Sequence, residues 1–208
     1  MNILFFDTET IGLPRDYKAP VSDVDNWPRM VQLAFSLFND NGQTHQFCEI
    51  IKPEGFVIPE EMTAIHGISH ELAMETGITS SSALACFVTA LSQADLLVGH
   101  NISFDRKVVG AEMIRSGFGD LLHGKPRICT MFKSTQYCQL VKEKGNGYKW
   151  PKLEELYFKL FGVKKEGLHN AGEDVAATAD CYFQLRLLGV IDDQDIEKEL
   201  SRKEIESF

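Results

Sequence analysis

Two carboxylates stand two residues apart near the start of the chain, Asp7 and Glu9 in "FFDTETIGLP", residues 5–14. Residues 3–6 (Ile-Leu-Phe-Phe) have the composition of a strand buried on both faces, and Gly12 and Pro14 beyond them are turn signals. Strand side chains alternate, so Asp7 and Glu9 point to the same side of a sheet. Two like charges beside a buried segment repel each other and are costly to desolvate. Either the strand end turns into solvent with both acids hydrated, or a positive charge sits between them, a divalent metal being the natural choice.

Three further residues bear on that choice. Asp105, in "LLVGHNISFDRKVVG", falls in the first turn of a helix that follows a short strand. Asp174 holds the same place in the last long helix, and His169 precedes it in the Gly-containing loop "GLHNAGED". Singly, each acid could do no more than complement a helix dipole, worth ~0.3–1 kcal/mol. Together they are four acids and a histidine, all at element ends that an α/β sheet gathers on one side. Carboxylates so gathered can hold two divalent cations, an apparatus for phosphoryl displacement in which one activates water and the other stabilises the leaving oxygen. Oxygen-only ligands favour Mg²⁺ or Mn²⁺ over Zn²⁺. A neutral imidazole nearby could take the proton from the water.

The elements that must position these groups follow from periodicity. "IGLPRDYKAPVSDVDNWP", 11–28, reads as a long loop. "RMVQLAFSLFN" alternates as a strand and turns at "NDNG" into another over 44–51, so three antiparallel strands open the domain. Helices are expected at "SSSALACFVTAL", at "SFDRKVVGAEMIRSG" up to Gly117, at "PKLEELYFKLFG" and at "GEDVAATADCYFQLRLLG". In the last of these, Ala176, Ala177 and Ala179 would let the helix lie close to a sheet. "ADLLVGHN" and "RICT" read as short strands. Strands first, then alternating helices and strands, imply an α/β layer fold around a mixed sheet. Residues 1–190 are expected as the domain, and 191–208 as a short charged tail with a loose helix.

Bulk composition narrows the class. The 208 residues are 44% hydrophobic and 25% charged, as in an ordinary globular protein. No apolar run approaches the ~18 residues of a membrane span, and no signal-peptide pattern opens the chain. Five scattered cysteines without a C-x-x-C pair suit reduced thiols and a cytoplasmic setting. A net charge of −9 argues against coating nucleic acid through many phosphate contacts. Residues 125–165, however, carry ten Lys or Arg against three acids. Such a segment is either a solvated face or a grip for a short anionic ligand.

The ordered set Asp7-x-Glu9, Asp105 inside "VGHNISFD", and His169-x-x-x-x-Asp174 inside "HNAGEDVAATA" resembles the three motifs of the DEDDh (DnaQ-like) 3′–5′ exonucleases. "TAIHGIS", 63–69, is similar to a segment this family carries between its first two motifs, and the resemblance runs from about residue 2 to 188. It implies a ribonuclease H-like fold, with a mixed central sheet flanked by helices. It also implies that Asp7, Glu9 and Asp174 hold the metal of the attacking water, that Asp7 and Asp105 serve a second metal, and that His169 is the general base. Thr8, Gly12, Leu13, Ile65, His66 and Phe104 would contact the terminal nucleotide, although Ile65 and Phe104 could equally be core residues. The sister subclass with Tyr four residues before the last Asp does not fit, because Asn170 is there.

The activity so implied is release of nucleoside 5′-monophosphates from the 3′ end of single-stranded or frayed DNA, in proofreading or repair, with RNA as the alternative strand. A DNA polymerase subunit is an implied partner. A non-catalytic nucleic-acid-binding or scaffold module of the same fold is the reading from another class.

Overall fold

The computed structural model describes residues 1–205. Strand β1, Ile3–Thr10, lies at the centre of a five-stranded sheet. It pairs antiparallel with β2, Met30–Asn39, which pairs antiparallel with β3, Gly42–Ile50. On its other edge it pairs parallel with β4, Leu96–Gly99, and β4 with β5, Arg127–Cys129. The sheet is therefore mixed, in the order β3-β2-β1-β4-β5, with its first three strands antiparallel as expected.

Between these strands the chain forms α1, Glu60–His66, α2, His70–Thr76, α3, Ser80–Gln93, and α4, Ile102–Arg115. After β5 come α5, Thr130–Cys138, α6, Leu153–Phe161, α7, Ala171–Leu187, and α8, Asp193–Ile205.

The strict alternation of β1 sorts its residues between two layers. Leu4 and Phe6 face α3 and α4, while Ile3 and Phe5 face α7. Phe5 meets Tyr182 of α7 edge to face, ring centroids 5.5 Å apart, and burying one such ring is worth ~1.5–3 kcal/mol. That contact fixes α7 against β1. Opposite Asp7 in the register stands Ala34, whose small side chain leaves room for Ala171 and Val175. Of the three alanines expected to allow this approach, Ala177 and Ala179 are buried, but Ala176 faces solvent.

Two expectations change, at the end of β1 and after residue 190. β1 runs to Thr10 instead of ending at Phe6, because its ladder with β2 continues as far as Thr10 opposite Met30. Asp7 and Glu9 are thus inside the strand, still on one face. The 15–28 loop is a fixed structure that includes a 3-10 turn, Val24–Asn26, and a buried Trp27. Arg115 binds it, donating to the carbonyls of Val24 and Trp27 and to Glu112 Oε1 at 2.9 Å. Finally, the segment after residue 190 packs on the domain and is not a loose tail: Ile191 and Ile196 are buried with the α7 layer. Residues 206–208 of that segment lie outside the described residues. No described helix is long and apolar enough to cross a membrane.

Candidate active site

Asp7 and Glu9 reach the α7 side of the sheet at the C-terminal half of β1, and the first turn of α7 brings Asp174 to them. Its start is set by Asn170, whose side chain accepts from Gly172 N at 3.0 Å, and by buried Gln32, whose Oε1 accepts from Ala171 N at 2.9 Å. Gln32 lies opposite Glu9 in the β1–β2 register, so one strand pair aligns all three acids. Asp7, Glu9 and Asp174 each offer a carboxylate oxygen, and these three atoms all lie within 4.8 Å of one another.

Asp105 approaches from the opposite layer. It is 3% exposed, and its Oδ1 accepts from Thr8 N at 3.1 Å and from Thr8 Oγ1 at 2.8 Å. Thr8 points away from Asp7 and Glu9, which explains why it can serve Asp105. Both of its polar hydrogens are used there, whereas the family resemblance placed it against substrate.

The electrostatics are those of crowded like charges. Burial pushes the Asp7 carboxyl well above its ordinary range, and Asp105, Asp174 and Glu9 push it further. Glu9 rises to about 8 through burial and the charges of Asp174 and Asp105. Burial raises Asp105 to about 7 against the lowering effect of its Thr8 hydrogen bonds. Asp174 rises to about 6, burial again leading, although the backbone N–H of His169 opposes it. A cation among these carboxylates would relieve their mutual repulsion, and an oxygen-only set of this kind suits Mg²⁺ or Mn²⁺.

His169 is exposed and holds a left-handed backbone, φ 76°, uncommon for a residue with a side chain. That conformation directs its N–H to Asp174 Oδ2 at 3.0 Å. Local strain of this kind clusters at functional sites. His169, Asp7 and Asp174 line a cleft of about 620 Å³ together with Leu13, Phe104 and Leu168.

The remaining expected residues divide. Leu13 is 74% exposed at the cleft, after a turn in which Gly12 has φ 152° and its carbonyl accepts from Thr10 Oγ1 at 2.7 Å. Phe104 lines the cleft and also packs on the core. Gly12 lines a neighbouring cavity. Ile65 and His66 are on α1, outside the cleft lining. Ile65 is 52% exposed, so it is not a core residue. His66 is buried, accepts from Ile68 N at 3.1 Å, and has its imidazole pushed down by burial.

Sequence reasoning passed over His100 and Asn101, which also line the cleft. His100 bonds Thr130 Oγ1 at 3.0 Å through Nδ1 and the Pro151 carbonyl at 2.9 Å through Nε2. Since a carbonyl only accepts, Nε2 carries the proton and Thr130 donates to Nδ1. Burial pushes this imidazole down to about 4, and it ties the loop before α6 to the end of β4. Its signal was its position, one residue beyond an apolar strand.

The RNase_T family model, described as Exonuclease, matches residues 4–182. The chain belongs to that family. The chain is similar in fold to E. coli exonuclease I in complex with a dT13 oligonucleotide, with a TM-score of 0.67 and 21% identity over 88% of this chain and 40% of that one. The zinc-ion-bound form of the E. coli exonuclease I–ssDNA complex gives 0.66 and 20%, over 90% and 40%. The E. coli enzyme with a dA16 oligonucleotide gives 0.67 and 21%, over 92% and 42%. The chain thus spans about two-fifths of the length of these structures. No curated protein matches it significantly. The expected DEDDh class and ribonuclease H-like fold are met.

Proposed function

We propose that this exonuclease removes nucleoside 5′-monophosphates one at a time from the 3′ end of single-stranded DNA. The observation that carries the reading is the Asp7–Glu9–Asp174 cluster, with oxygens within 4.8 Å, two of whose members, Asp7 and Asp174, line the same cleft as His169. Asp7, Glu9 and Asp174 would hold one divalent cation, and Asp7 with Asp105, directly or through water, a second. When bound, such a pair supplies water activation and charge neutralisation at the leaving 3′ oxygen.

The chain's own groups do the rest. Thr8 orients the Asp105 carboxylate with two hydrogen bonds, so that its geometry is set before substrate arrives. The His169 N–H does the same for Asp174. The imidazole of His169, exposed at the cleft, takes the proton of the attacking water and passes it to solvent. Leu13 and Phe104 offer apolar surface to the terminal base, which binds any base without sequence preference. We assign Ile65, His66 and the backbone at Gly12 to the rim that positions that nucleotide.

DNA as the strand is supported by the fold relatives, whose structures contain dT13 and dA16. Trimming of a 3′ end belongs to repair or to proofreading beside a polymerase. Competition between equal-length DNA and RNA single strands in Mg²⁺ tests the choice. Preferential loss of the DNA is expected. Preferential loss of the RNA would reassign the enzyme to RNA ends.

A further inference from the structure

A second cleft, about 440 Å³, adjoins the first and shares Tyr17, Asn101 and Phe104 with it. Its walls are aromatic: Tyr17 on the 15–28 loop, Phe104 on α4, Phe132 on α5, and Trp150 before α6. Large rings are normally buried, yet Tyr17 is 53% exposed, Phe132 47% and Trp150 63%. Phe132 and Trp150 touch edge to face, centroids 5.1 Å apart, and so present ring surface to the cavity as a unit.

The loop wall of this cleft is pinned. Lys107 Nζ donates to the Tyr17 carbonyl at 2.6 Å and stands 4.8 Å from the Trp27 ring centroid. Asn26 holds Asp16 from both sides, accepting from its N–H at 2.7 Å and donating to its carbonyl at 2.9 Å. Trp27 Nε1 donates to the Pro20 carbonyl at 3.0 Å. The backbone that carries Tyr17 is therefore fixed by a pre-formed loop, which lowers the ordering cost on binding. Lys107 adds a positive charge to the lining.

We propose that this cleft is a stacking site for the bases immediately 5′ of the terminal nucleotide, so that the enzyme grips an unpaired strand over more than the residue it removes. The proposal rests on the exonuclease reading of the first cleft. Continuity with that cleft selects the occupant, because a strand whose 3′ nucleotide lies at Asp7 and His169 must leave along one of its open sides. Aromatic walls receive base faces, and only unpaired or frayed bases offer them. The aromatic platform makes binding tolerant of sequence.

The test compares two substrates in the full-length chain: thymidine 5′-monophosphate p-nitrophenyl ester, which has no upstream nucleotide, and single-stranded (dT)8. In Trp150→Ala, the ratio of kcat/KM for (dT)8 to that for the ester should fall roughly 5- to 150-fold, the range for loss of a base stack. The fall should appear in KM, and Trp150→Phe should restore most of it. Phe132→Ala should act in the same direction. An unchanged ratio, or an equal loss on both substrates, would overturn the stacking site while leaving the exonuclease reading intact. No hydrolysis of either substrate by the unaltered chain in Mg²⁺ or Mn²⁺ would overturn that reading and the stacking site with it.

Discussion

Removing divalent metal should reveal the cost of packing four acids together, as a fall in stability when the pH rises towards neutrality. Burial lifts the Asp105 carboxyl from 3.8 to about 7. The folded protein therefore binds that proton more tightly than the unfolded chain, where Asp titrates near 3.9. The resulting stabilisation is fully present below the unfolded value and is lost as the pH rises through about 7. Between about pH 5.6 and 7.0 the loss from this group is roughly 1.5 kcal/mol, with Glu9, at about 8, adding roughly 1.8 kcal/mol. His100 acts with the opposite sign, because burial lowers it to about 4. Its contribution grows with pH up to the unfolded imidazole value near 6.5 and cancels when two proteins that both carry His100 are compared. Urea unfolding in EDTA at several pH values, wild type beside Asp105→Asn, isolates the effect. The Asn keeps an acceptor for Thr8 and removes the titration. The wild-type curve should fall more steeply by about 1.5 kcal/mol, and Mg²⁺ or Mn²⁺ should abolish the fall by binding the folded state. Parallel profiles for the two proteins would refute the electrostatic account of the site.

Other outcomes follow from single contacts. His169→Ala should lower kcat roughly 10²- to 10⁴-fold with an unchanged melting temperature, since the side chain is exposed; a loss confined to KM would remove it as the base. Arg115→Ala should cost about 2 kcal/mol in urea unfolding, because it leaves Glu112, 1% exposed, with Arg29 as its remaining ion partner and frees the 15–28 loop; a cost below ~1 kcal/mol would contradict that role. Lys142 and Lys144 are exposed, and their joint reversal to Glu should flatten the salt dependence of single-strand binding by about 1.4 in the log–log slope. Lys149 is left out of that set because it donates to Glu155 at 2.5 Å, and unchanged binding and slope would remove the basic segment from the strand's path.

What could be read in the sequence was whatever depends on local period. Asp7 and Glu9 share a face because a strand repeats every two residues, and Asp174 sits over them because a helix starts at a readable Asn cap. The individual strands and the main helices were legible for the same reason. The partner of Asp105 was not, since Thr8 and Asp105 are far apart in the chain and meet only after α4 docks on β1. The aromatic cleft was hidden likewise: Tyr17, Phe132 and Trp150 come from three separate segments. Short helices such as α1 and α2 carry too few turns to show a period. The helix after Asp193 looked like a tail because its charged residues outnumber the few apolar ones, among them Ile196, that bury it.

The most direct test of the account is digestion of a 5′-labelled single-stranded DNA in Mg²⁺ or Mn²⁺, with Asp7→Asn beside the unaltered chain. A ladder shortening by one nucleotide at a time, with mononucleotide as the product and no ladder from Asp7→Asn, is the predicted result. Release of the label in the first products, internal cuts, or a ladder that survives Asp7→Asn would contradict it.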